Sequence, residues 1–287
     1  MTLRIIYIAS DGRSGSSLLE SILSNAPNSI SVGECFRFWE RFYKADTRCG
    51  CGKRIESCNL WRNVDRDLQE LRYSISQFKN SARYFLRYAQ FRSLDTMDPQ
   101  LVALFPIVKR FYSSIAQHSN STVILDSSKS PSWAKLLTRI DGFDVRIIHL
   151  ERSLAQVTRS WRRHVRLPEY TERDVWMPTK SRTMCTRTWL RVKILASRLA
   201  SCSDYYFLRY ERLCSETADV LRELGDFTGE NYLNRDLHFL ENHAIAGNPL
   251  RHERKLDPIK VTSRNLEYGG LADAALNLLD KTASLFW

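Results

Sequence analysis

The residues best placed by type and spacing to do chemistry form an octet, Ser10-Asp11-Gly12-Arg13-Ser14-Gly15-Ser16-Ser17. It lies directly behind the apolar run Arg4 to Ala9 and ahead of a helical face of Leu18, Leu19, Ile22 and Leu23. A glycine-bearing turn between a strand and a helix N-terminus aims backbone N–H groups at one point, where the helix dipole also favours an anion. The octet therefore predicts a phosphate site. It is not a Walker A loop, which ends in Gly-Lys-Ser/Thr; here Ser16 and Ser17 follow Gly15, and the cation, Arg13, comes earlier. An ordinary ATP or GTP hydrolase is thereby disfavoured. On local grounds alone, a Gly-Ser turn with a capping serine is an equal reading.

Two more polar stretches are placed to meet the same ligand. Asp126-Ser127-Ser128-Lys129-Ser130-Pro131 follows an apolar run and feeds a helix through Pro131 near its first turn. Glu151-Arg152-Ser153 follows another, ahead of a helical face of Leu154, Val157, Trp161 and Val165 that also carries Ser160, Arg162, Arg163 and His164. Taken locally, Lys129 is as easily a surface lysine beside a helix start. Arg152 could equally pair with Glu151 or Glu211, and such a surface pair is worth little.

The elements that must position these residues are apolar runs bounded by breakers: Arg4 to Ala9, Ser29 to Val32, Thr122 to Leu125, Val145 to Leu150 and Tyr205 to Arg209. Strands alternating with helical patterns imply βαβ units, so the expected fold is α/β, a P-loop-like parallel sheet of about five strands flanked by helices. In such a sheet the loops after the strands share one carboxyl edge, where open α/β folds bind ligands. Residues 61–118 carry no strand signal and are expected to form a helical insertion, broken near Asp98-Pro99, that shapes a substrate cleft. With no repeat or linker in view, residues 1–287 are expected to form a single domain.

In this order the motifs resemble those of the sulfotransferases that use 3′-phosphoadenosine 5′-phosphosulfate (PAPS), especially the bacterial and carbohydrate-type branch and the related tyrosylprotein enzymes. GRSGSSLLESIL, from Gly12 to Leu23, is similar to the family's 5′-phosphosulfate loop and helix. SVGE ends at Glu34, where the tyrosylprotein branch has its catalytic glutamate, and DSSKSP resembles the loop carrying a catalytic lysine. IIHLERSLAQVTRSW is similar to the strand, Arg, helix, Ser unit that grips the 3′-phosphate. HAIAGNPLR, from His243 to Arg251, resembles the late Gly-Asn-Pro-x-Arg loop that closes over the nucleotide. The resemblance runs from residue 4 to about 251 and thins across the insertion, where acceptor specificity is expected. Ser16-Ser17 stands where many members have Thr-Thr, and Arg152-Ser153-Leu154 lacks the Asp-Pro often found after that Arg.

The resemblance implies in-line transfer of a sulfuryl group from PAPS to an acceptor hydroxyl, leaving adenosine 3′,5′-bisphosphate. It implies Glu34 as general base, with Asp126 as the fallback, and Arg13 and Lys129 against the charge that grows on the leaving oxygen. Ser14, Gly15, Ser16 and Ser17 would hold the 5′-phosphate, Arg152 and Ser160 the 3′-phosphate, and Gly247, Asn248 and Arg251 the closing loop. His164 stands where a tyrosylprotein enzyme has another phosphate-binding Arg; Arg163 or Arg251 are the alternatives for that charge. No metal is expected in the reaction, because cationic side chains fill the roles that magnesium has in kinases. The expected acceptor is a glycan, glycolipid or small natural product. Phe36, Phe38, Trp39, Phe42 and Tyr43 follow Glu34 closely and could wall its site, although Phe38 and Phe42 at i, i+4 also suit a core-facing helix.

Cys49, Cys51 and Cys58 crowd one loop, with Cys35 as a conceivable fourth zinc ligand. A reduced or conditionally disulfide-linked loop is the first expectation and zinc the second. Seven cysteines, an odd count, argue against a full disulfide framework. No apolar run approaches the roughly 18 residues of a membrane span, and MTLRIIYIAS suits a first core strand rather than a signal peptide, so a cytoplasmic protein is expected. With 43 Lys plus Arg against 32 Asp plus Glu, the net charge is +11, which leaves nucleic acid, a membrane surface or an anionic small molecule as partners. Arginine dominates from Arg146 to Arg212, and its planar fork favours bidentate phosphate or sulfate recognition over a diffuse nucleic-acid patch. Two rival readings follow. A P-loop kinase would bind ATP with magnesium, and a non-enzymatic nucleic-acid-binding protein would lose affinity steeply with salt.

Overall fold

A computed structural model describes residues 2–42, 47–69, 102–167, 170, 174–201, 203–233, 236–247, 249–252, 257–259, 261 and 271–285. Five strands, β1 (Leu3–Ser10), β2 (Ser29–Gly33), β3 (Val123–Lys129), β4 (Phe143–Glu151) and β5 (Asp204–Arg209), form one sheet in the order β2-β3-β1-β4-β5. Every neighbouring pair is parallel. Each strand expected from the sequence is present, extended by a few residues, and the α/β fold stands.

The helices are α1 (Ser16–Leu23), α2 (Phe38–Arg41), α3 (Asn59–Gln69), α4 (Phe105–Ser119), α5 (Pro131–Leu137), α6 (Leu154–Trp161), α7 (Arg182–Ser197), α8 (Tyr210–Ser215), α9 (Thr217–Thr228) and α10 (Leu271–Leu285). β1 is buried on both faces, which is why its sequence is a continuous apolar run rather than an alternation. Ile6 and Ile8 pack with Leu19, Ile22 and Leu23 of α1 and Val220 and Leu224 of α9. Ile5, Tyr7 and Ala9 face a second core built with Phe38, Trp61, Phe111 and Trp133. Phe38, Trp39 and Phe42 are therefore core residues, whereas Tyr43 lies outside the described residues. The expected helical insertion is met at its two ends by α3 and α4; the residues around Asp98-Pro99 lie outside the described residues.

Two expectations are corrected. The helix after β4 stops at Trp161, with Arg162 as its C-cap, so Arg163, His164 and Val165 lie beyond it; Arg152 precedes it, and Ser153 is the N-cap. Cys35 is not part of the cysteine loop: it sits in the core, 3.4 Å from Tyr112 Oη.

The sheet register slips at two places. Against β1, Tyr7 pairs with Asp126 and Ala9 with Lys129, so β3 holds one extra residue. Against β3, Ser31 pairs with Leu125 and Gly33 with Asp126, so β2 holds one as well. Such bulges re-aim the residues that follow. Here those residues are Glu34 and Lys129.

A buried carboxylate locks these strand ends together. Glu20 of α1, 4% exposed, accepts hydrogen bonds from Ser31 Oγ at 2.7 Å, Gly33 N at 2.7 Å and Ser127 Oγ at 2.6 Å. Burial pushes its pKa up, against the pull of the three donors. Glu20→Ala would leave those donors unpaired and is expected to lower the unfolding free energy by about 3 kcal/mol in a denaturant titration. Glu20→Gln, which keeps an acceptor, should lose less; equal losses would mean that packing, not hydrogen bonding, matters there.

Candidate active site

The loops after β1, β3 and β4 open on one cavity of about 1090 Å³. Arg13, Gly15, Ser16, Ser17, Glu34, Lys129, Arg152, Ser160 and Gly247 of the expected site all line it. β1 and β4 are neighbours; α1 packs on one face of the sheet, and the end of α7 (Ala196) with Leu199 on the other. This is the kind of crevice in which open α/β sheets bind ligands.

The loop's geometry follows from its glycines. Gly15 is the N-cap of α1 with φ +95°, and a Cβ there would also meet the Tyr210 ring at 2.4 Å. A Cβ on Gly12 would stand 2.5 Å from Trp161 Cζ2. The indole N–H of Trp161 donates to the Gly12 carbonyl at 3.1 Å, while Arg13 and Lys180 lie over its ring, 5.5 and 3.8 Å from the centroid. Burial and the nearby Arg163 lower the Arg13 pKa, and its buried Nε has no hydrogen-bond partner. Ser14, also expected here, is 1% exposed and does not line the cavity.

Glu34 and Lys129 form an ion pair, and Arg37 Nε donates to the other oxygen of the same carboxylate at 2.9 Å. Burial alone would raise the Glu34 pKa; Lys129 and Arg37 overcome it and hold the group at about 2. Lys129 and Arg13 both adopt left-handed backbone, φ 68° and 71°; the other non-glycine residues that do so among those described are Asn28 and Asn120. Gly247 joins the two halves of the site. A Cβ on it would stand 3.6 Å from Ser17 Oγ and 4.0 Å from Glu34 Oε1.

Arg152 is aimed by Gln156, whose Oε1 accepts from its Nε at 2.8 Å, and by the Tyr210 ring 4.4 Å away. It does not pair with the candidate acids. Glu151 is buried between Lys193 and Arg209, and Glu211 accepts from the Ser153 backbone. Of the alternatives for the further phosphate charge, Arg163 lines the cavity; His164 packs against Trp176, and Arg251 is buried away from the cavity. Asn248 lies outside the described residues. Asp126 is fully buried, accepts from Tyr112 Oη and Ser128 N, and does not line the cavity, which withdraws the fallback base.

Sequence reasoning missed Arg37, Trp161, Lys180 and Arg191 and gave Asp11 of the loop no role of its own; all of them line the cavity. Burial raises the Asp11 pKa to about 6, with Lys180 opposing. Arg37 was accessible from its i, i+3 spacing to Glu34. Trp161 was absorbed into the apolar face of α6, and Lys180 lies in a segment without periodicity.

The contest at Glu34 makes a measurable sign. A carboxylate held below its ordinary 4.5 adds stability above that pH and loses it as the pH falls toward 2. Lys129→Ala keeps the burial and removes the main opposing cation, so the Glu34 titration should move up. This is read from its side-chain carboxyl carbon by NMR during acidification; an unmoved titration would assign the control to Arg37.

The profile described as "Sulfotransferase family" matches residues 6–233. Among solved structures, the chain is similar to the sulfotransferase STF9 of Mycobacterium avium, at 14% identity and a TM-score of 0.45, covering 80% of this chain and 64% of that one. It is also similar to STF1 of Mycobacterium tuberculosis H37Rv, at 14% identity and a TM-score of 0.43, covering 80% of this chain and 68% of that one. The chain thus spans just under two thirds of the first of these. No curated protein matches it. The matched stretch holds most of β1, all of β2 to β5 and the loops after them, and the chain belongs to the sulfotransferase family.

Proposed function

We propose that this protein moves the sulfuryl group of PAPS to an acceptor hydroxyl by in-line transfer. The observation that carries this reading is the convergence of Ser17 of the phosphate loop and the Glu34–Lys129 pair on one point beside Gly247. The partnerless buried Nε of Arg13 at the same loop suits an anionic ligand. Bound there, PAPS would supply an activated sulfuryl group and a leaving oxygen that gathers negative charge.

The chain's own residues divide the remaining work. Arg13, with the backbone amides of Gly15, Ser16 and Ser17, would hold the 5′ end, and Arg152, Ser160 and Arg163 the 3′-phosphate. Lys129 would be the fixed cation that opposes charge growing in the transition state. Glu34 would accept the acceptor's proton. At a pKa of about 2 it is a weak base, and drawing Lys129 from it toward the anion would restore its basicity. Phe36, Leu167, Met177 and Pro178 line the cavity with apolar surface, beside Arg37, Arg41 and Arg191. A glycan or glycolipid bearing acidic groups fits that mixture.

Calorimetric titration separates this reading from a kinase. Adenosine 3′,5′-bisphosphate should bind about 10- to 100-fold more tightly than ADP, the value of a charge-assisted pair on the 3′-phosphate. Equal affinities, or tighter ATP-magnesium binding, would sink it. Arg152→Ala should erase the discrimination. Glu34→Gln should cut turnover by roughly 100- to 10,000-fold while nucleotide binding is nearly kept; an active variant would remove Glu34 as base.

A further inference from the structure

The fourth partner of the cysteine loop is a residue nearly two hundred positions away. Cys49, Cys51, Cys58 and His243 bring their Sγ and ring nitrogen atoms within 4.8 Å of one another. His243 Nδ1 lies 3.7 Å from Cys49 Sγ and 3.2 Å from Cys58 Sγ. With Zn–S of about 2.3 Å and Zn–N of about 2.05 Å, a tetrahedral site has thiolate–thiolate edges of about 3.8 Å and thiolate–imidazole edges of about 3.6 Å. The cluster already approximates that figure. We propose that Cys49, Cys51, Cys58 and His243 bind a structural zinc ion.

The chain around the cluster is built to present it. Cys49 N donates to the Lys53 carbonyl at 2.9 Å and Gly52 N to the Cys49 carbonyl at 2.8 Å, a tight turn that Gly52 completes at φ +87°. Arg48 and Arg54 close the turn as an antiparallel bridge. Cys58 caps a short helical turn, Ile55–Ser57, just before α3. The opposite side is equally constrained. The Trp61 indole donates to the His243 carbonyl at 2.9 Å, and Gly50 N donates to the Ala244 carbonyl at 2.9 Å. A Cβ on Gly50 would stand 1.7 Å from Asn242 Oδ1, so glycine alone lets the two segments meet.

The donor set selects the metal. Three thiolates and one imidazole in tetrahedral array suit zinc, and four protein ligands fill the shell, which marks a structural rather than a catalytic ion. Three thiolates, a neutral imidazole and Zn²⁺ leave one net negative charge, beside Arg48, Lys53 and Arg54 of the same turn. A disulfide would use two of the three thiols and give no role to the histidine; all three are free. The ion would fasten the loop to the segment that runs along β2, where His243 N donates to the Ser31 carbonyl at 2.9 Å and Ile245 N to the Val32 carbonyl at 3.2 Å. That segment ends at Ala246 and Gly247, against Glu34.

Elemental analysis of the full chain, purified without chelator, is expected to find about one zinc per chain. Titrating the native protein with a mercurial thiol reagent should release that zinc to a colorimetric indicator, a readout that needs no variant to fold. Cobalt exchanged into the site should give the visible absorption of tetrahedral thiolate coordination. Cys58→Ser should lower the zinc content at least about tenfold, and stripping the metal should speed amide exchange across residues 243–247. A metal-free protein whose three thiols alkylate in the native state, a disulfide found by mass spectrometry, or stoichiometric iron in place of zinc would each overturn the assignment. None of these readouts depends on whether the chain transfers sulfate.

Discussion

The site hangs on a carboxylate that does not line it. A buried charge is tolerated only where its lone pairs are filled, and Glu20 fills its own from the ends of two strands. Because Glu20 rides on α1, the helix that follows the glycine-bearing loop after β1, that loop, the strand leading to Glu34 and the strand leading to Lys129 are held in one relative position. The two register slips fall at these anchors, between Ser31 and Gly33 in β2 and around Ser127 in β3. Anchoring and bulging together turn two ordinary strand ends into an ion pair facing the glycine-bearing loop after β1.

The framework was legible in the sequence because it obeys local rules. Parallel strands buried on both faces leave apolar runs, breakers mark their ends, and the glycine octet sits where a strand meets a helix. What was not legible depends on pairing across the chain. Nothing near His243 announces that it faces Cys58, and the nearby Cys35, the more natural guess, lies against Tyr112 instead. Trp161 looked like core because it continues an apolar face, yet α6 ends on it and leaves its ring to Arg13 and Lys180. Asp126 shows the converse error. Its polar neighbours suggested chemistry, while its carboxylate serves Tyr112 and a backbone amide inside the core.

The surplus of cations also looks different once placed. Several arginines belong to ion pairs at the surface, Arg212 with Glu216 and Glu223, and Arg222 with Asp219. Exposed pairs of this kind contribute little to stability. The cations with consequence are those gathered at the cavity, Arg13, Lys129, Arg152, Arg163, Lys180 and Arg191, where low polarizability and mutual repulsion make an anion the natural complement.

Arg13 and Lys129 carry that point furthest. A non-glycine residue in left-handed backbone costs about 1–2 kcal/mol, and neither side chain has the short polar arm that lets asparagine settle there. Arg13 stands in the loop after β1 and Lys129 at the end of β3, and both line the cavity. The Tyr7 hydroxyl, holding the Ser130 carbonyl at 2.8 Å, and the Trp161 indole, holding that of Gly12 at 3.1 Å, fix the backbone immediately beside each strained residue. Strain that the surroundings over-determine thus falls twice on cations that line one cavity, where an anion would be the natural complement.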